Sequence, residues 1–211
     1  MSVKNVGILG GGSFGTVIAN IIAHNGHKTL LWMRDSEQVA SLNTLHENVN
    51  YLPGYKLHQD VVATDDLATA VKDVDLIFVA VPSSSFREVV RQMEPLLNED
   101  AILVSLTKGI EAKSFARMSQ ILAEETNNSH IAVLSGPNLA KEIAINSPTG
   151  AVVASKDTAV VKEVQDVLRS EPPPVSSNPD MLGVELGGSL KNIYAIIAGL
   201  AEAVGMGNNT N

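Results

Sequence analysis

The chain has no cysteine. That excludes disulfides, thiolate metal ligands and a cysteine nucleophile, and it suits a reducing compartment. Aromatics are sparse, 4% of 211 residues, and Trp32 is the one tryptophan. Positive charge is outnumbered: 15 Lys and Arg against 23 Asp and Glu leave a net charge of −8. This argues against a nucleic acid or an acidic membrane surface as the main partner, with a local basic site still open. No apolar run reaches the roughly 20 residues that span a bilayer. The opening stretch, MSVKNVGILG, is too short in its apolar part for a signal sequence and runs directly into a strand. A cytoplasmic protein is the expectation. His24, His27, His46, His58 and His130 lack ligand spacing with carboxylates, so no metal site is expected.

What is present is apolar sequence, 45% of the chain, in short runs that alternate in character. Val6–Leu9, Lys28–Met33, Val61–Thr64, Asp75–Val81, Ala101–Leu106, His130–Leu134 and Ala151–Ala154 read as strands. Between and after them Thr16–Ala23, the segment capped by Ser36, Asp65–Val71, Phe86–Leu97, Phe115–Glu125, Asn138–Ile145 and Thr158–Leu168 read as helices. Near-continuous apolar strands alternating with helices imply a mostly parallel sheet covered on both faces. The stretch SEPPPVSSNP (170–179) is the clearest break in composition. Three consecutive prolines cannot lie in a helix or a central strand, so it reads as a link that closes a first unit at 1–179. Met181–Val204 then reads as one long helix, apolar or small nearly all round, which expects to be buried. The chain runs only a few residues past it, which suggests a missing piece or packing on another surface.

Gly10, Gly12 and Gly15 form G-x-G-x-x-G between the first strand and the first helix. One glycine makes the tight turn, one admits a pyrophosphate to the backbone, and one lets helix and strand pack closely. The helix N-terminus offers free N–H groups to the anion. The fold expected is α/β, a Rossmann-type doubly wound sheet. Where an NAD-binding strand often ends in an acid, this one ends in Met33 and Arg34; arginine suits a 2′-phosphate, so NADPH is favoured, and Asp35 next to it keeps NADH open.

Ligands in open α/β sheets lie beyond the carboxyl ends of the strands. Ser83, Ser84 and Ser85, Lys108, and the SGPN turn at 135–138 collect there. Lys108 beside a helix start would suit a small phosphorylated or carboxylated substrate. Lys191 is mid-helix on a face of Gly187, Gly188, Ala195 and Ala198. Two adjacent glycines in a helix cost about 1 kcal/mol each against alanine, and close approach of a ligand or a backbone is the usual reason. Small neighbours leave room around the Lys191 ammonium, a setting for proton transfer. The bland readings are a loop lysine at 108 and a lysine snorkelling from a packing groove at 191. Asp65 and Asp66 read as a helix cap, Lys141 as solvated, and Glu124 and Glu125 as a solvated helix end.

GGGSFGT, LLWMRD, YLPG, VAVPS, TKGIE, LSGPNLAKEIA and GVELGGSLKNIYAIIAGLAEAVGMGNN, in this order over almost the whole chain, closely resemble the bacterial NAD(P)-dependent glycerol-3-phosphate dehydrogenases. The resemblance implies reversible reduction of dihydroxyacetone phosphate to sn-glycerol 3-phosphate for phospholipid synthesis. It implies that Ser13 and Phe14 contact the cofactor's pyrophosphate region and Arg34 its adenosine end, with Tyr51 a further candidate there. Lys108 would touch substrate and cofactor, Gly136 and position 138 the substrate, and Ala140 the cofactor. Lys191 would hold the substrate and exchange the proton at its carbonyl oxygen. Asn138 departs from the serine or threonine usual there. The family also continues about a hundred residues further, so the expectation is that 180–211 begins an all-helical second domain and that this chain binds cofactor with little activity alone. A homodimer stays open. The alternatives are a non-catalytic nucleotide-binding module and a 3-hydroxyacid or 6-phosphogluconate-type dehydrogenase; in the latter an asparagine usually follows the lysine by four residues, where this chain has Ala195.

Overall fold

The computed structural model describes residues 2–145, 147, 149–169 and 175–206, without the side chain of Asn192. Eight strands form one sheet: β1 (Asn5–Leu9), β2 (Lys28–Trp32), β3 (Val61–Thr64), β4 (Leu76–Val79), β5 (Ile102–Ser105), β6 (Ile131–Ser135), β7 (Val152–Ser155) and β8 (Ser176–Asn178), in the order β3-β2-β1-β4-β5-β6-β7-β8. Seven helices connect them: α1 (Ser13–His24), α2 (Ser36–Leu45), α3 (Leu67–Val71), α4 (Ser83–Met93), α5 (Met118–Glu125), α6 (Ala140–Ala144) and α7 (Thr158–Val167). The long helix α8 (Met181–Ala203) follows β8. The order reverses between β1 and β4, which makes that edge the switch point of a doubly wound sheet.

Successive strand residues point to opposite faces. Val6, Ile8, Leu76 and Phe78 pack with Ile18, Ile22, Val160 and Val164 of α1 and α7. Leu9, Ile77 and Val79 pack with Phe86, Val90, Met93, Ile121 and Leu122 of α4 and α5. Both faces are therefore buried, which is why the strands read as continuous apolar runs.

The structure corrects several sequence readings. β7 runs antiparallel to β6, so it departs from the alternation. In the stretch taken as a link, 170–174 with the three prolines lies outside the described residues, but Ser176–Asn178 is a strand, parallel to β7. Its side chains are exposed, so no apolar pattern marked it. Asp35, not Ser36, caps α2, accepting from the backbone N–H groups of Glu37 and Gln38. Helix α5 starts at Met118; Phe115 is exposed at φ 57°, a turn conformation that a helix does not allow. Helix α4 ends at Met93, and Glu94–Leu96 tightens into a 3₁₀ turn around Pro95. Most of α8 is not buried: Ile193, Tyr194, Ile196, Ile197 and Leu200 are each more than half exposed. Among the described residues no helix is long and apolar enough to cross a membrane.

Candidate functional site

The glycine turn sits where β1 gives way to α1. Gly10 has φ 118°, and a Cβ there would lie 2.6 Å from the Ala80 carbonyl oxygen. A Cβ on Gly15 would lie 2.0 Å from the Gly10 carbonyl oxygen, so α1 rests directly on the turn. Gly12 is different: nothing lies within 4 Å of its would-be Cβ. Two glycines are thus required by the fold, while the third opens space beside the helix start. Gly12 also caps α1 with no side-chain hydrogen bond to the first turn. The first-turn N–H groups have no intrahelical acceptor, so they are available to an anion. These features fit a dinucleotide's pyrophosphate.

Asn48 holds this turn, and sequence reasoning missed it. It is buried, donates to the Gly11 carbonyl at 2.9 Å and to Thr16 Oγ1 at 2.8 Å, and accepts from the Tyr51 N–H at 3.2 Å. The Ser13 hydroxyl donates to the Tyr51 carbonyl at 2.6 Å. Ser13 and Tyr51 are therefore brought together at the helix start, with the Tyr51 side chain exposed.

At the end of β2, Met33 turns inward and is buried, its side chain under Gly11. Arg34 is exposed. The Asp35 carboxylate is engaged by Glu37 N–H, Gln38 N–H and Gln38 Nε2, and these bonds hold it below the usual carboxylate range. Of the three residues weighed for the ribose, Arg34 alone is exposed and uncommitted to the helix cap.

Lys108 and Lys191 meet across the far side of the sheet edge. Lys108 Nζ donates to the Gly136 carbonyl at 3.1 Å and lies 6.0 Å from the centre of the Phe14 ring. Burial, and then the neighbouring charge and hydrogen bond of Lys191, lower the Lys108 pKa to about 8. Two neighbouring lysines, with no carboxylate paired to Lys108 among the described residues, form a site that favours an anion. Asn138 is buried on the turn after β6, two residues past the Gly136 that Lys108 holds, and among the described residues its Oδ1 has no hydrogen-bond partner. Ala140 opens α6, which starts after Leu139 rather than at Asn138. Ser83 begins α4, with its side chain about 3.1 Å from where a Cβ on Gly109 would stand. A cavity of about 680 Å³ lies along another face of α1, lined among others by Ile18, His24, Tyr55 and Arg169. Phe14 and Asn138 are among its lining residues, while Lys108 and Lys191 are not.

Helix α8 is fastened at three points on its N-terminal half. The Glu185 carboxylate accepts from Arg117 Nη1 at 2.6 Å, Ser119 N–H at 2.9 Å and Ser119 Oγ at 2.5 Å. Ser189 Oγ accepts from the Gly109 N–H at 3.0 Å. A Cβ on Gly188 would lie 2.2 Å from Ser135 Oγ, so this glycine permits the close approach. Gly187 faces open space, which gives it no such role. The sequence signal for Glu185 was an acid in the first turns of a mostly apolar or small helix, whose other acid, Glu202, lies near its far end. Glu124 and Glu125, read as a solvated end, instead pair with Arg87, and Glu125 with Arg91 as well. Lys141 is exposed, as expected. Among the described residues no group of three His, Asp or Glu could hold a metal ion.

Comparison with known proteins adds to this geometry. Residues 5–161 match the family model described as NAD-dependent glycerol-3-phosphate dehydrogenase N-terminus, and residues 180–211 match the C-terminus model of the same family. A protein named glycerol-3-phosphate dehydrogenase [NAD(P)+] from Teredinibacter turnerae is 54% identical over 97% of this chain and 60% of its own length. One of the same name from Saccharophagus degradans is 54% identical over 100% of this chain and 59% of its own length. The crystal structure of a glycerol-3-phosphate dehydrogenase from Coxiella burnetii superposes with a TM-score of 0.90 at 36% identity, covering 98% of this chain and 63% of that one. The chain thus spans about three fifths of the length of the relatives it matches.

Proposed function

Because the chain belongs to the NAD-dependent glycerol-3-phosphate dehydrogenase family, we propose that it forms the cofactor-holding part of an enzyme that interconverts dihydroxyacetone phosphate and sn-glycerol 3-phosphate. The observation that carries this reading is the meeting of Lys108 and Lys191 at the strand ends, next to Phe14 of the helix that opens the glycine turn. We assign 1–179 to the dinucleotide-binding unit and 180–211 to the start of a helical one, a division supported by where the second family model begins.

Gly10, Gly12 and Gly15, with Ser13 and Phe14, would hold the pyrophosphate side of the cofactor; Arg34 and Tyr51 would meet its adenosine end, and Ala140 would stand on the nicotinamide side. A bound nicotinamide supplies or takes back the hydride. NADPH is the favoured form, because Arg34 is exposed and the Asp35 carboxylate is occupied by the helix cap. Lys191 would give a proton to the oxygen that gains charge as the carbonyl is reduced, and remove it in the reverse direction. Lys108, still largely a cation at neutral pH, would stabilise that oxygen and the substrate's negative charge. Asn138 and the Gly136 turn would line the substrate's position after β6.

The test is NADPH consumption that depends on dihydroxyacetone phosphate, measured on the gene's complete translation product. Turnover that Lys191→Met abolishes supports the reading. Cofactor binding with no turnover on this substrate or on related phosphorylated ketones would favour a binding module instead.

A further inference from the structure

The site depends on two lysines carried by different elements. Lys108 follows β5, and Lys191 is on α8, which packs mainly on β6 and β7. Two like charges repel, so the fold must hold them together. The C-terminal half of α8 is exposed and does little to fix the helix. The fastening lies in its first three turns.

We propose that Glu185 is a positioning residue: its carboxylate, clamped by Arg117 and Ser119, sets the rotation and depth of α8 and so places the Lys191 ammonium beside Lys108. Glu185 is nearly sequestered, with 9% of its side chain exposed. It takes three hydrogen bonds, all from the segment that leads into and opens α5. One turn later the Ser189 hydroxyl donates to the Glu185 carbonyl at 2.9 Å and receives the N–H of Gly109, the residue after Lys108. Gly188, between them, sits on Ser135, next to the Gly136 whose carbonyl Lys108 holds. The carboxylate, the hydroxyl and the glycine contact therefore bind one helix face to the start of α5, the loop after Lys108 and the end of β6. Lys191 is fixed in register with that face, being carried on the same turns of a rigid helix.

The same segment is held from outside as well. Arg87 of α4 pairs with Glu111, Glu124 and Glu125, which ties the loop after Lys108 to α4 and α5. Arg117, at the start of α5, thus stands on a braced base. A charged clamp of this kind is costly to break from one side, since the other charge is left half-buried without a partner.

This inference rests on the reading of Lys108 and Lys191 as the working pair, but its test does not need turnover. The groups around the Lys108 ammonium are the Phe14 ring of α1, the Gly136 carbonyl after β6 and Lys191 of α8. Its titration therefore reports whether Lys191 is in place. Lysines are reductively methylated with a carbon-13 label, and the Lys108 resonance is assigned with Lys108→Arg. Lys191→Met sets the scale by removing the neighbouring charge. Glu185→Ala is expected to raise the Lys108 titration from about 8 toward the ordinary 10.5, by as much as Lys191→Met does. Glu185→Gln, which keeps an acceptor for the Ser119 N–H but loses the one facing Arg117, is expected to give a value between those of the parent and Glu185→Ala. Glu185→Ala and Lys191→Met combined are expected to raise it no further than either alone.

Each variant is first shown to melt cooperatively. If Glu185→Ala does not fold, Ser189→Ala carries the same test. A Lys108 titration that stays at the parent value in folded Glu185 and Ser189 variants, while the melting temperature falls, would make Glu185 structural only and overturn the proposal. Titration that moves as expected in a protein without glycerol-3-phosphate turnover would leave the positioning role standing and remove the assigned reaction.

Discussion

Lys191 stands beside Lys108, and after burial its charge is the next cause that lowers the affinity of Lys108 for a proton, although the two lysines come from elements far apart in the chain. Lys191→Met is expected to reduce kcat on dihydroxyacetone phosphate by about 10²- to 10⁴-fold, the range for loss of a proton-transfer group. NADPH affinity should change little. Steady-state rates and a binding titration on the same preparation check both parts.

Lys108 is held against its own solvation, and this carries a stability cost. Its folded pKa of about 8 is below the ordinary 10.5, so the unfolded chain binds the proton more tightly. The cost is present in full below pH 8 and is relieved as the pH rises from about 8 through 10.5. Lys108→Met is therefore expected to raise the melting temperature at pH 7 by about 2–4 °C while abolishing turnover. The gain should shrink as the pH rises past 8 and vanish only above pH 10.5. Calorimetric melting at the two pH values measures this.

The three glycines of the turn should separate by role. Gly15→Ala forces a Cβ to 2.0 Å from a backbone oxygen and is expected to destabilise by about 1–3 kcal/mol. Gly12→Ala meets no protein atom and should leave the melting temperature nearly unchanged. It should still weaken NADPH binding, because the methyl group occupies the space offered to the pyrophosphate. Chemical denaturation and cofactor titration of the two variants test the division.

Arg34→Ala is expected to weaken NADPH binding about tenfold or more, the scale of one charge-assisted hydrogen bond. NADH binding should be unaffected, since no acid in this turn is free to take the ribose hydroxyls. Equal losses with both cofactors would contradict the assignment of the 2′-phosphate to Arg34.

Glu111 should dominate acid sensitivity near the site. Arg87, and then the Ser114 hydroxyl, hold its pKa at about 2 against an ordinary 4.5. The stabilisation is therefore complete above pH 4.5 and is lost as the pH falls toward 2. Glu111→Gln should flatten the acid limb of melting temperature against pH in that window. An unchanged acid limb would show that the pairing with Arg87 adds nothing to stability.

The sheet was legible because its strands are buried on both faces and so stand out as apolar runs. β8 was not, because Ser176–Asn178 is exposed and its partnering is a backbone matter. The glycine turn could be read from spacing, but not which glycine faces open space. Lys191 stood out through its small neighbours. The residues that hold the site, Asn48, Arg117, Ser119 and Ser189, bond mainly to backbone or to residues distant in sequence. No local pattern records such partners. Asp35 and Ser36 are both good caps by residue type, and only the structure, through the Asp35 backbone angles and its bonds to Glu37 and Gln38, distinguishes them.

The central claim is that the glycine turn holds a nicotinamide dinucleotide with Arg34 at its adenosine end. Trp32, the one tryptophan, is buried at the end of β2 with its indole N–H on the Asp65 carbonyl at 3.1 Å, two residues before Arg34. Its fluorescence is the direct probe of that end of the site. A saturable change on adding NADPH, reached at lower concentration than with NADH and lost in Gly12→Val, is the expected result. No saturable change with either cofactor would contradict the claim.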